Sequence, residues 1–167
     1  MESNSTYYKT PIGFAEIIGD KNGIQSIALI DNNTNEQGLE KFNLPQDIPE
    51  CLQECALQLK EYFKGERTKF DLLLNPQGTS FQKLVWKELC NIPFGKTRSY
   101  LAQSKLIGDP KAVRAVASAN GKNPIWIVVP CHRVIGSDGS LTGYAGGLWR
   151  KKWLLDHESP VKQQSLF

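Results

Sequence analysis

The turn cluster Asn75-Pro76-Gln77-Gly78 marks the best domain boundary in the chain. Charge reverses at the same place. Residues 1–75 carry 7 Lys and Arg against 12 Asp and Glu, a balance of −5, whereas residues 76–167 carry 13 against 5, a balance of +8. The pattern predicts an α+β chain with an N-terminal α/β domain over 1–75 and a mostly helical C-terminal domain over 76–167. A basic half points toward a polyanion, although a solvated surface without a partner can have the same composition.

In the first domain, Tyr7 to Thr10, Phe14 to Ile18 and Ile24 to Ile30 read as strands of a small antiparallel sheet. They are joined at Pro11-Ile12-Gly13 and at Asp20-Lys21-Asn22-Gly23, whose Asn-Gly pair favours a tight hairpin. Residues 31–47 are polar and irregular. Leu52, Cys55, Leu59 and Phe63 then fall at helical spacing, Lys64-Gly65 closes the helix, and Thr68 to Leu74 is a candidate further strand. Cys51 and Cys55 lie one helical turn apart, as two metal ligands would. No histidine lies in this half to complete a set, so both read as helix packing residues.

In the second domain, Thr79 and Gln82 form a capping box that opens a helix with Phe81, Leu84, Val85 and Leu89 as its buried stripe and Pro93 as its stop. Ser99 can cap a helix from Tyr100 to about Leu106, and Asp109-Pro110 reads as the start of another, ending at Gly121. Two short helices across a glycine turn make a helix-turn-helix. On the second of them, Val113, Val116 and Ala117 should face inward. Ala112, Ala115 and Ala119 form a strip of small side chains opposite, bordered by Lys111, Arg114 and Ser118. Such a face can approach a nucleic-acid groove closely, with few long side chains to read base edges. It would equally suit packing against another helix.

The apolar run Ile125 to Val129 reads as one buried strand leading into Pro130-Cys131-His132-Arg133-Val134. Turn residues follow at Gly136, Asp138, Gly139, Gly143, Gly146 and Gly147. A thiol where a buried strand meets a loop is placed for chemistry, and the adjacent imidazole can raise its thiolate fraction. A packed core cysteine beside a surface histidine is the alternative. Because neighbouring side chains of an extended segment point to opposite faces, either the chain turns here or a water bridges the two. Leu148 to Glu158 reads as a last helix, beginning with the basic run Arg150-Lys151-Lys152. Lys151, Leu154, Leu155 and Glu158 share one face, so the carboxylate needs a partner, and His132 is the candidate. His157 points elsewhere and reads as a surface residue. Cys131, His132 and Glu158 thus have the types of a nucleophile, a base and an orienting acid.

Hydrophobic residues make up 40% and charged residues 22%, ordinary for a soluble protein. No apolar run approaches the roughly 20 residues that span a bilayer. The first residues lack the basic start and apolar core of a signal peptide. With four cysteines in no tight framework, a cytoplasmic protein with reduced thiols is expected.

These residues resemble the O6-alkylguanine-DNA alkyltransferases, also called methylated-DNA–protein-cysteine methyltransferases. The resemblance rests on Pro130-Cys131-His132-Arg133-Val134, Gly121-Lys122-Asn123-Pro124, Lys111-Ala112-Val113-Arg114-Ala115-Val116, Tyr100, Tyr144-Ala145-Gly146-Gly147 and Trp153-Leu154-Leu155-Asp156-His157-Glu158, in order over most of 79–158. It implies a ribonuclease H-like first domain and a helix-turn-helix second domain. The implied activity is irreversible, single-turnover transfer of an alkyl (methyl) group from O6-alkylguanine in double-stranded DNA to Cys131, after the nucleotide is flipped out through the minor groove. O4-methylthymine is a further expected substrate. By the same resemblance His132 is the base, acting through water, and Glu158 orients it. Tyr100 hydrogen-bonds the purine and Asn123 braces the turn at Cys131. The Val134 carbonyl reads the exocyclic amine and the Ala145 amide faces O6. Arg114 fills the gap left by the flipped base, while Ala112, Ala115, Ser118, Arg133, Tyr144 and Lys151 lie at substrate or DNA. No cofactor or membrane partner is implied, and a monomer is expected, with cooperative binding on DNA left open. The zinc ion that some eukaryotic relatives hold is not expected, because the first domain has no histidine. Two rivals are a DNA-binding module without transfer chemistry and a thiol hydrolase or redox sensor. Alkyltransferase-like sensors commonly carry tryptophan in place of the acceptor, so Cys131 argues against the first. The second leaves Arg114 and the basic half unexplained.

Overall fold

The computed structural model describes residues 3–31 and 48–160, which fall into two compact units. One holds the described residues up to Gln77 together with Pro124–Trp126; the other holds Gly78–Asn123 and the described residues from Ile127 onward. Apart from Asp31, the stretch 31–47 expected to be irregular lies outside the described residues. No described helix is long and apolar enough to cross a membrane.

In the first unit, β1 (Asn4–Thr10), β2 (Gly13–Asp20) and β3 (Gly23–Ile30) form the expected antiparallel sheet, in that order. Thr10 shapes the first hairpin: its hydroxyl donates to the Gly13 carbonyl at 2.6 Å and accepts from the Ile12 amide at 3.1 Å. Ile17 pairs with Ile27, and both are wholly buried. Helix α1 (Glu50–Phe63) lies on β1 and β2 and buries Leu52, Cys55 and Leu59. Full burial of each such leucine contributes about 1.5–3 kcal/mol. Tyr62, not Phe63, completes that face. Of the two helix cysteines only Cys55 packs in the core; Cys51 is half-buried beside Asn4.

Residues 68–74 do not form the expected strand. Leu74 alone bridges Ile24. The Gln58 carboxamide takes both main-chain groups of Asp71, accepting from its amide at 2.9 Å and donating to its carbonyl at 3.0 Å. A side chain thus satisfies the backbone that a strand neighbour would have paired. Residues 125–129 also turn where a strand was expected. Ile125 makes one parallel bridge to Ile27, and the backbone then bends at Ile127, whose φ is +74°. That region costs a β-branched residue on the order of 1–3 kcal/mol, and here it lies four residues before Cys131.

In the second unit, α2 (Ser80–Leu89) starts on the expected capping box. Its buried face is Val85, Trp86 and Leu89, whereas Phe81 and Leu84 stand 38% and 50% exposed. Trp86 turns the face, because its indole donates to the Ala119 carbonyl at 2.8 Å. Helix α3 (Tyr100–Ile107) is capped by Ser99, whose hydroxyl accepts from the Ala102 amide, and it ends at Gly108 in the left-handed conformation that favours glycine. Asp109-Pro110 forms a turn, with the Asp109 carboxylate accepting from the Lys111 amide, so α4 (Val113–Gly121) begins three residues later than expected. Its inward residues are Val116, Ala119 and Asn120. Ala117 was expected inward and is exposed; Ala119 was expected outward and is buried under Trp86. A 3₁₀ turn (Cys131–Arg133) follows, then a parallel pair of two-residue strands, β4 (Arg98–Ser99) and β5 (Val134–Ile135), and finally α5 (Leu148–Glu158).

Candidate active site

Cys131 opens the 3₁₀ turn with 8% of its surface exposed. Its amide bonds back to the Val129 carbonyl at 2.9 Å. Asn123 holds the same turn: its Nδ2 donates to that carbonyl at 2.8 Å and to Cys131 Sγ at 3.3 Å. Burial pushes the thiol pKa up, and the Asn123 donor and the nearby Lys151 charge only partly offset it. At neutral pH Cys131 is therefore mainly a thiol, and its proton must leave when it reacts.

The same turn points the neighbouring imidazole at Glu158. His132 is wholly buried, with Nε2 at 2.7 Å from Glu158 Oε2, and its Nδ1 has no hydrogen-bond partner among the described residues. Burial lowers its pKa more than Glu158 raises it. The ring is neutral, and the hydrogen-bond network assigns its proton to Nε2, leaving Nδ1 as a base. Glu158 is clamped a second time by Arg133, whose Nε and Nη2 donate to its two oxygens at 2.7 and 3.1 Å. Burial favours the neutral acid, yet His132 and Arg133 together outweigh it and hold the carboxyl at about 2.

This cluster should make the fold sensitive to acid. Glu158 titrates below its ordinary value of 4.5, so its contribution is complete above that pH and lost as pH falls toward about 2. His132, also lowered, contributes above its ordinary 6.5 and loses that contribution below it. Urea midpoints should therefore drop from pH 6.5 downward and steepen below 4.5. In Glu158→Gln the lower, steeper part should vanish; an unchanged acid slope in that variant would refute the assignment.

Two of the residues expected at substrate or DNA, Arg133 and Lys151, are buried and hydrogen-bonded within the second unit. Arg133 is 6% exposed, spends its remaining Nη1 on the Ile92 carbonyl at 2.6 Å, and lies over the Phe94 ring. Lys151 has no exposed surface and donates to the Thr142 and Gly143 carbonyls at 2.8 and 3.2 Å, with the Tyr100 hydroxyl at 3.5 Å. Burial brings its ammonium down to about 8, against the pull of Cys131. Within the run Arg150-Lys151-Lys152 only Lys152 is exposed. A buried charge must be paired, and both residues found their partners inside.

Cys131 lines a cavity of ≈ 390 Å³ with Tyr100, Arg114, Ala117, Asn120, Thr142, Tyr144 and Ala145. Tyr100 donates to the Thr142 carbonyl at 2.9 Å, which joins α3 to the glycine loop. Arg114, Ala115 and Ser118 are exposed on α4, Ala112 is half-buried at its cap, and Val134 is wholly buried in β5. A larger cavity, ≈ 660 Å³, lies in the first unit, but its polar lining is mostly carboxylate (Asp20, Glu50, Glu54, Asp71), the wrong sign for a polyanion.

Two family models together match nearly the whole chain: the ribonuclease-like domain of 6-O-methylguanine DNA methyltransferase over residues 5–76, and its DNA binding domain over residues 80–160. The chain is 46% identical over 153 residues to the methylated-DNA–protein-cysteine methyltransferase of Methanosarcina barkeri, covering 90% of this chain and 93% of that one. The chain belongs to the 6-O-methylguanine DNA methyltransferase family. Among solved structures of the family, the Mycobacterium tuberculosis O6-methylguanine methyltransferase superposes with a TM-score of 0.80 at 39% identity, covering 99% of this chain and all of that one. The M. tuberculosis OGT in complex with DNA gives the same TM-score at 40% identity over 96% of each chain. The first unit of this methyltransferase is thus the family's ribonuclease-like domain and the second its helical DNA-binding domain.

Asn120 and Thr142 line the cavity of this family member and were missed in the sequence. Asn120 had a signal: it follows Val113 by seven residues, so it is a polar group on the inner face of α4. Thr142 had none, because it contributes through its carbonyl.

Proposed function

We propose that this methyltransferase moves an alkyl group from O6 of guanine in duplex DNA to Cys131, once per molecule. The observation that carries the reading is the Cys131 thiol, held by Asn123 in the wall of a cavity that also presents Tyr100 and Arg114. In the transfer, the sulfur attacks the alkyl carbon, an S–C bond forms, and the C–O6 bond breaks with its electron pair passing to the purine. The thiol proton leaves toward His132 Nδ1, through a bridging water. The purine takes up one proton from the Tyr100 hydroxyl, which Lys151 can replace from its nearby Nζ. The Ala145 amide, in the cavity wall, faces O6. A thioether has no low-barrier route back to a thiol, so the protein is consumed.

Access to a stacked base requires flipping it, at a cost of a few kcal/mol. The exposed, small-sided stretch of α4 lets the helix approach DNA without sequence preference, and Arg114 at the cavity mouth fills the emptied position. Arg114→Ala should slow repair of duplex O6-methylguanine about 10- to 100-fold, the rate equivalent of losing a flipping contribution of that size. Transfer from free O6-benzylguanine should stay near wild type; equal losses on both substrates would remove Arg114 from flipping. The function itself is tested by incubation with duplex O6-methylguanine DNA followed by intact and peptide mass measurement. One methyl group per molecule, on the Cys131 peptide, is expected; release of methyl groups with turnover would refute the reading.

A further inference from the structure

Gln103 on α3 and Asn120 on α4 face each other as a closed amide pair. Gln103 Nε2 donates to Asn120 Oδ1 at 3.1 Å, and Asn120 Nδ2 donates back to Gln103 Oε1 at 2.9 Å. Gln103 has no exposed surface and Asn120 keeps 6%. Two apolar side chains of the same shape would join the helices without desolvating two amides. What the pair adds is orientation: it fixes the plane and the sense of the Asn120 carboxamide.

A carboxamide has two N–H donors and two acceptor lone pairs. The pair with Gln103 uses one of each on Asn120, which leaves a second N–H. Asn120 also stands in the cavity wall with Cys131, Tyr100 and Ala145. A purine whose O6 substituent points at Cys131 carries N7 on the same edge as O6. The Ala145 amide, also in the cavity wall, is assigned to O6, so N7 needs a donor of its own. An amide N–H suits a purine N7, as it does in base recognition.

We propose that Asn120 is a specificity-determining residue of the purine cavity, donating its second N–H to N7 of the flipped base while Gln103 acts as a positioning residue that holds it there. This rests on the reading of Cys131 as the alkyl acceptor. The test compares benzyl transfer from O6-benzylguanine and from its 7-deaza analogue, in which C–H replaces N7. Rate constants are measured for wild type, Asn120→Leu, Asn120→Asp and Gln103→Leu. Wild type should react about tenfold more slowly with the deaza compound, the equivalent of one hydrogen bond. Both Asn120 variants should react about tenfold more slowly with the parent and no longer distinguish the two compounds. Asn120→Asp keeps an acceptor for Gln103, so it reports on the lost donor even if the leucine variant folds poorly. Gln103→Leu leaves the Asn120 amide free to rotate and should show a reduced preference for the parent. A full preference retained in either Asn120 variant, or none in wild type, overturns the proposal. Absence of any transfer from the parent compound by wild type is a separate outcome, and it overturns the acceptor reading itself.

Discussion

Cys131→Ser should abolish alkyl acceptance: after incubation with an excess of duplex O6-methylguanine DNA, no methyl group should be found on the variant, against one per wild-type molecule. The substitution is nearly isosteric, and Asn123 can still donate to the new hydroxyl as it does to Sγ. What disappears is the nucleophile. A thiol with an ordinary pKa near 9, raised here by burial, can still give up its proton to a neighbouring base as it reacts. A hydroxyl does not, and it is intrinsically the poorer nucleophile toward carbon. Because the side chain is buried but small, folding should be retained, and thermal melting should confirm it. Methylation of the C131S variant at any residue would show that the acceptor lies elsewhere.

Glu158→Ala should cost the most stability of any single substitution at the site. It leaves the Arg133 guanidinium, at 6% exposure, with the Ile92 carbonyl as its one hydrogen-bond acceptor among the described residues, and it removes the partner of His132 Nε2. Removing one member of a buried pair costs about 3–5 kcal/mol. For a chain of this size that lowers Tm by roughly 6–20 °C. Glu158→Gln keeps a hydrogen-bond acceptor but leaves the guanidinium unneutralised, so its Tm should fall between wild type and Glu158→Ala. Transfer should fall about 100-fold or more in both, because His132 loses the carboxylate that sets its tautomer and its role as base. A Glu158→Ala variant with wild-type Tm would mean that the cluster contributes nothing net.

Local chemistry was readable in advance. The Thr79 capping box, the Ser99 cap and the Gly108 stop are satisfied within three or four residues, so spacing alone shows them. The three-strand sheet followed from hairpin turns for the same reason. The pairing of Glu158 with His132, 26 residues away, was legible because a carboxylate on a leucine face needs a partner and the chain has only two histidines.

The misplaced elements share a cause. Residues 68–74 and 125–129 look like strands by composition, but each makes only one bridge to β3, while Gln58 takes both main-chain groups of Asp71 and Asn123 takes the Val129 carbonyl. Nothing in an apolar run announces such a bond. Arg133 and Lys151 sit in basic stretches suited to DNA, yet turn inward to Glu158 and to the glycine-loop carbonyls. The two-part α+β chain, the reversal of charge between its halves, and a cysteine beside a histidine with a carboxylate to pair with it are all written in residue order. Which charges are buried, and which amide stands in the cavity wall, are set by the folded chain. Those outcomes depend on where distant backbone turns bring partners together, and burial then requires every polar group there to be paired.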